Sequence, residues 1–140
     1  MGRILAIDYG TKRVGIAVTD PLRLIATGLG TVHSSKVIAF LKAYFEKEQV
    51  DCLVLGEPKR MDNTPSDSAV HVEGFLKLLK KTFPAMKVER VDERFTSRLA
   101  FQTMIDSGLK KKARQNKALV DEISATIILQ SYMERLSNSF

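Results

Sequence analysis

Two short apolar runs stand almost back to back at the start of the chain, RILAID (3–8) and VGIAVT (14–19), joined only by YGTKR. Both are rich in Ile, Val and Ala, and the connection is short, polar and carries glycine at 10, with a second glycine at 15. The pair therefore predicts two strands linked by a tight turn. The first run ends on an acid, Asp8, where the chain leaves the sheet. Residues 22–32 hold Leu, Ile and Val broken by Gly28 and Gly30, which predicts a third, irregular strand.

Beyond residue 33 the apolar period changes. Val37, Phe40, Leu41, Tyr44 and Phe45 fall on one stripe of a helix over 36–48, with Ser34 or Ser35 as its cap. DCLVLG (51–56), bounded by Gly56 and Pro58, reads as a buried strand. KRMDNTPSD (59–67) is a polar loop, a helix over about 66–82 ends before Pro84, and KVERV (87–91) is a further strand. Thr96 suits the cap of a helix over 97–107 that Gly108 stops, a basic stretch fills 109–117, and a last helix spans about 118–136. The order β-β-β-α-β-α-β-α-α predicts three antiparallel strands followed by right-handed parallel crossovers. The expected architecture is a mixed five-stranded sheet flanked by helices, of the α/β class.

A chain of 140 residues is read as one domain over 1–140, long enough to bury a core without disulfides. Its single cysteine, Cys52, excludes a disulfide framework and a cysteine-rich zinc site. There is no signal-peptide pattern and no apolar stretch near the ~20 residues a spanning helix needs, so a cytoplasmic protein with no membrane partner is expected. The net charge is +6 and the pI about 9.6. Part of the excess is local, in Lys110, Lys111, Lys112, Arg114 and Lys117. Such a surface attracts polyanions by counter-ion release, and a merely solvated loop has the same composition.

The acids fall where chemistry is expected in this architecture. Asp8 closes the first strand, Glu57 follows the 52–56 strand, and Asp92 and Glu93 follow the 87–91 strand. If these strands run parallel, their carboxyl ends share one edge, where open α/β sheets bind ligands. On the last helix Asp121 shares a face with Ala125, Ile128, Tyr132 and Leu136, an unusual address for a charge unless it is paired or bound to a cation. Converging carboxylates suit Mg²⁺ or Mn²⁺, and two such ions ~4 Å apart would flank a phosphodiester. Each acid also has a plainer reading. Asp8 is a residue type that opens turns, Glu57 precedes Pro58 as loop residues do, Asp92 has Arg94 beside it, and Asp121 suits the first turn of a helix.

Other patterns carry less. GTKRVG (10–15) has the glycine spacing of a phosphate loop, but Ile16 and Ala17 stand where Lys-Ser/Thr belongs, and a strand follows. His33 and His71 have no metal-pair spacing and read as surface residues. Tyr132 reads as core. Lys12 and Arg13 project from the first turn, as phosphate contacts or as solvated tips.

AIDYGTKRVGIAVTD (6–20), LVLGEPKRMDNT (53–64), VDERFTSRLA (91–100) and VDEISATIILQSY (120–132) together resemble the YqgF family, over nearly the whole chain and in the same order. Its members are named for Holliday junction resolution and for nuclease processing of precursor 16S rRNA. The resemblance implies a ribonuclease H-like fold and a metal-dependent nuclease. It carries the family's first-strand acid onto Asp8, its Asp-Glu-Arg acid onto Glu93 and its last-helix acid onto Asp121, leaving Glu57 and Asp92 as bystanders. Two departures stand out. Ser124 occupies the position one turn after Asp121 where resolvases of the wider fold often have a second acid, and Glu57 stands where many relatives have an apolar residue.

The expectation is therefore an endonuclease using Mg²⁺ or Mn²⁺ held by Asp8, Glu93 and Asp121. It would act on structured nucleic acid, RNA ahead of DNA, with precursor ribosomal particles as partners and a monomer or homodimer as the unit. Lys12, Arg13, Arg94, Lys110, Lys111, Lys112 and Arg114 would touch the backbone. A junction resolvase on branched DNA and a non-catalytic binding module are the alternatives. A phosphotransferase is disfavoured, because that architecture needs a second domain.

Overall fold

The computed structural model of the protein describes residues 2–57, 69–92 and 117–137. Strands β1 (Arg3–Tyr9) and β2 (Arg13–Thr19) form the expected hairpin, and β3 (Ala26–His33) continues the antiparallel meander. Helix α1 (Val37–Lys47) leads to β4 (Val50–Glu57), and α2 (Ala69–Thr82) to β5 (Lys87–Asp92). Both β4 and β5 are parallel additions, β4 beside β1 and β5 beside β4. Helix α3 (Lys117–Ser137) follows. The five-stranded sheet has the order β3-β2-β1-β4-β5. The helix expected over 97–107, the loop expected over 59–67 and the basic stretch lie outside the described residues.

Strand alternation divides the core into two layers. Leu5 and Ile7 of β1, Val14, Ile16 and Val18 of β2, and Leu53 and Leu55 of β4 face one side. There they meet Val37 and Leu41 of α1 and Val72, Phe75 and Leu79 of α2. Ile4, Ala6, Ala17, Cys52, Val54 and Val91 face the other side, against Ala125, Ile128, Leu129 and Tyr132 of α3. Fully burying a side chain such as Leu53 or Ile128 contributes about 1.5–3 kcal/mol. On the α3 face β1 and β2 contribute the small residues Ala6, Gly15 and Ala17. At Gly15 an added Cβ would strike the backbone carbonyl of Asp121, so α3 lies directly on β2 only because that position has no side chain.

Three sequence expectations are corrected. The third strand begins at Ala26 rather than at 22, because the Asp20 carboxylate captures the backbone N–H groups of Leu22, Leu24 and Ile25 at 3.2, 2.7 and 2.8 Å. Those donors are then lost to any ladder, and Arg23 turns the loop with a φ of 59°. The irregularity expected within the strand is a bulge. Ile16 pairs with Gly30 and Ala17 with Gly28, so Leu29 is the extra residue, and Gly30 takes a φ of 130°.

The cap before α1 is also different. Ser34–Lys36 form a 3₁₀ turn whose N-cap is His33, with Nδ1 accepting from Ser35 N–H at 3.1 Å. Ser34 is drawn away, its hydroxyl donating to Thr11 O at 2.6 Å and its N–H to Lys12 O at 3.1 Å. Glu57 and Asp92 close β4 and β5 rather than following them.

Candidate active site

Asp8 stands one residue before the end of β1, in register with Gly15 of β2. It shares a face with Ile4 and Ala6, the face that α3 covers. The absence of a side chain at Gly15 lets the backbone of Asp121 settle over that register position. One strand pair thus seats an acid and, beside it, the helix that carries a second acid. Asp8 and Asp121 line one cleft of about 440 Å³ at the carboxyl edge of β1, together with Tyr9, Gly10, Thr11, Lys12 and Arg13.

The hairpin tip forms the other wall. It is fixed by Ser34, which bonds both Thr11 O and Lys12 O. At Gly10 an added Cβ would come within 2.6 Å of Arg13 O, so the turn also depends on glycine there. Tyr9 faces away from α3 and stacks on Phe75, with centroids 4.2 Å apart, which anchors the end of β1 next to Asp8. Arg13 reaches across the cleft, its Nε donating to Asp121 Oδ2 at 2.8 Å.

The sequence-derived acids separate clearly. Asp8 and Asp121 meet at one cleft. Glu57 and Asp92 are in register with each other, and strand alternation puts both on the α1–α2 face, opposite Asp8. Glu93, Arg94, Lys110, Lys111, Lys112 and Arg114 lie outside the described residues. Among the described residues no three His, Cys, Asp or Glu side chains gather as a cation cluster, and the third expected acid is not one of them. His33 and His71 are exposed, as expected. Tyr132 is core, 4% exposed, with its hydroxyl 3.9 Å from the Cys52 sulfur. Burial above all pushes the Tyr132 hydroxyl up to about 12 and raises the Cys52 thiol as well, so neither is prepared for proton transfer or nucleophilic attack.

Sequence reasoning missed two features. It placed Arg13 only as a phosphate contact or a free tip, whereas its partner is Asp121. It read Gly15 only as part of a tight turn, whereas the close neighbour of that position is helix α3. Neither pairing leaves a local signal, because each joins the first hairpin to the last helix.

Chemically, two carboxylates in one cleft supply the hard oxygen donors that Mg²⁺ or Mn²⁺ takes. Arg13 already places a positive charge against one of them. Lys12 and Arg13 give the same cleft a cationic wall for a polyanion.

Known proteins share this fold. T. thermophilus RuvC, solved in complex with a Holliday junction substrate, superposes with a TM-score of 0.57 over 95% of this chain and 96% of its own, at 14% identity. A second Thermus thermophilus RuvC structure gives the same TM-score over 96% of both chains. The fold is accordingly ribonuclease H-like. A protein of Christiangramia forsetii named "Putative pre-16S rRNA nuclease" is 63% identical over 133 residues, 95% of this chain and 98% of its own. One of Bacteroides thetaiotaomicron with the same name is 58% identical over 134 residues, 96% of this chain and 97% of its own. The family model RuvX, described as Holliday junction resolvase, matches residues 2–135. Matched by that family model over nearly its whole length, and by relatives that share more than half of their residues with it, the chain belongs to the RuvX, or YqgF, Holliday junction resolvase family.

Proposed function

We propose that this protein is a divalent-metal-dependent endonuclease, folded as one domain, that hydrolyses phosphodiester bonds in structured nucleic acid. Its foremost substrate is the 16S rRNA precursor, met in the cytoplasm on precursor ribosomal particles. The observation that carries the reading is the meeting of Asp8 and Asp121 in one cleft that Lys12 and Arg13 also line. The preference for RNA is supported by relatives that share more than half of their residues and nearly their whole length with this chain.

Asp8 and Asp121 would hold Mg²⁺ or Mn²⁺, and Glu93 joins them by its place in the Asp-Glu-Arg block. Bound there, the cation supplies charge neutralisation at the phosphodiester and eases deprotonation of water. The seat of α3 on Gly15 fixes the spacing of the two acids. Lys12 and Arg13 orient the phosphate from a hairpin tip that Ser34 keeps from drifting. Arg94, Lys110, Lys111, Lys112 and Arg114 extend the contact along the backbone.

The test is cleavage of precursor 16S rRNA and of a four-way DNA junction, with Mg²⁺, Mn²⁺ or chelator. The parent protein is compared with Asp8→Asn and Asp121→Asn. The expected result is metal-dependent cutting of the RNA that falls by roughly 10²–10⁴-fold in either variant. Parental rates in both variants overturn the site. Symmetric nicking of the junction with no RNA cleavage replaces the substrate by branched DNA. Binding in chelator without cleavage at any metal concentration makes the protein a binding module instead.

A further inference from the structure

The ion pair between Arg13 and Asp121 occupies a carboxylate that the proposed chemistry needs elsewhere. Arg13 Nε stands 2.8 Å from Asp121 Oδ2, so one of the two acids offered to a cation is already neutralised by the chain itself. The contact is a weak fastening. The two side chains are 42% and 22% exposed, and solvent-exposed pairs contribute little to stability and exchange easily. Neither partner depends on the other for its position. Arg13 opens β2 in register with His33 of β3, and the tip before it is tied to Ser34. Asp121 is carried by a helix whose backbone rests on Gly15. The guanidinium can therefore leave Asp121 without moving the hairpin or the helix.

A divalent cation on Asp121 and a guanidinium on the same oxygen repel each other at a few ångströms. Only one of them can hold the carboxylate fully. The planar guanidinium fork matches a phosphate as well as it matches a carboxylate, and phosphate is what the cleft receives under the nuclease reading. We propose that Arg13 is the resident counter-ion of Asp121, displaced by the divalent cation and handed to a phosphate oxygen of the substrate.

The inference rests on the nuclease reading of the cleft. The exchange balances in charge. The Arg13–Asp121 pair opens, the Asp121 oxygens pass to the cation, and the guanidinium charge passes to the phosphate, with no covalent change. Arg13 is thereby a positioning residue with two stations. Without metal it keeps the acids of the cleft from facing one another unneutralised. With metal it is released to hold substrate, so the nucleic acid is gripped in full only when the cation is in place.

The test is Mn²⁺ binding to the free protein, read by electron paramagnetic resonance, with no nucleic acid and no turnover. Arg13→Gln should tighten Mn²⁺ by about threefold to tenfold, and Arg13→Lys should fall between it and the parent. Lys12→Gln removes the same charge from the same hairpin tip without touching Asp121, and should change affinity by no more than about twofold. Asp8→Asn should weaken binding by about tenfold or more. Equal or weaker binding in Arg13→Gln, with Asp8→Asn still defective, overturns the counter-ion role and leaves the nuclease reading standing. Equal tightening in Lys12→Gln and Arg13→Gln also overturns it, by reducing the effect to net charge. Unchanged binding in Asp8→Asn removes the metal site, and both readings fall together.

Discussion

At the edge of the sheet where β1 and β4 begin, Asp51 accepts from Gly2 N–H at 2.7 Å and from Gln49 Nε2 at 3.1 Å, and pairs with Arg23 Nη2 at 3.1 Å. Beside it Asp20 takes three backbone N–H groups of its own loop. At the edge where β1 ends, Asp121 pairs with the side chain of Arg13 across the mouth of a cleft. Both edges set an acid against an arginine, but Asp51 and Asp20 at the first are also held by backbone donors, whereas Asp121 at the second pairs with a side chain. Backbone donors cannot be withdrawn without unfolding the segment that supplies them, whereas a side chain can rotate away. The edge where β1 begins is therefore a fastening, and the cleft is a place where partners exchange.

The largest expected effect comes from the contact that makes the cleft. Gly15→Val forces a side chain into the backbone carbonyl of Asp121, so α3 must lift from β2. Thermal unfolding should show a loss of about 3 kcal/mol, a fall in Tm of roughly 10 °C, and cleavage should fall with it. A variant with the parental Tm would show that α3 has another way to seat.

A smaller effect separates the two edges by pH. The Ile25 N–H above all holds the Asp20 carboxyl below its ordinary value of 3.8, and the Gly2 N–H does the same for Asp51. The folded state thus keeps both groups ionised at pH values where the unfolded chain has begun to protonate them. Their contribution is complete above the ordinary value and is withdrawn as the pH falls through the lowered one. In Asp20→Asn and Asp51→Asn the gap in urea midpoint between pH 7 and pH 3 should narrow relative to the parent. The smallest effect belongs to the cleft. Asp121→Asn at pH 7 should move Tm by no more than about 2–3 °C in either direction, because its partner is an exposed arginine.

Much of this was legible in the sequence. The hairpin, the two parallel strands and the helix over 37–47 followed from apolar periodicity. The face of α3 that carries Asp121 was predicted from the spacing of Ala125, Ile128, Tyr132 and Leu136, all of which pack there. The start of β3 was not legible, because Leu22, Leu24 and Ile25 look like strand residues until Asp20 claims their N–H groups. The choice among acids was only half legible. Spacing placed Glu57 and Asp92 at the same edge as Asp8, and only the register between strands shows that they belong to the opposite face. The pairing of Arg13 with Asp121 was not legible at all, since it depends on a helix approach permitted by one absent side chain.

The central claim, that the cleft between Asp8 and Asp121 holds a divalent cation while the backbone-completed acids do not, is tested most directly by titrating Mn²⁺ into isotopically labelled protein. Amide signals are followed residue by residue for paramagnetic broadening. The account predicts that signals of residues 8–13, 15 and 121 broaden first, with those of residues 20–25 and 51 sharp at the same Mn²⁺ concentration. Broadening that begins at residues 20–25 and 51, or that reaches both edges together, would contradict it.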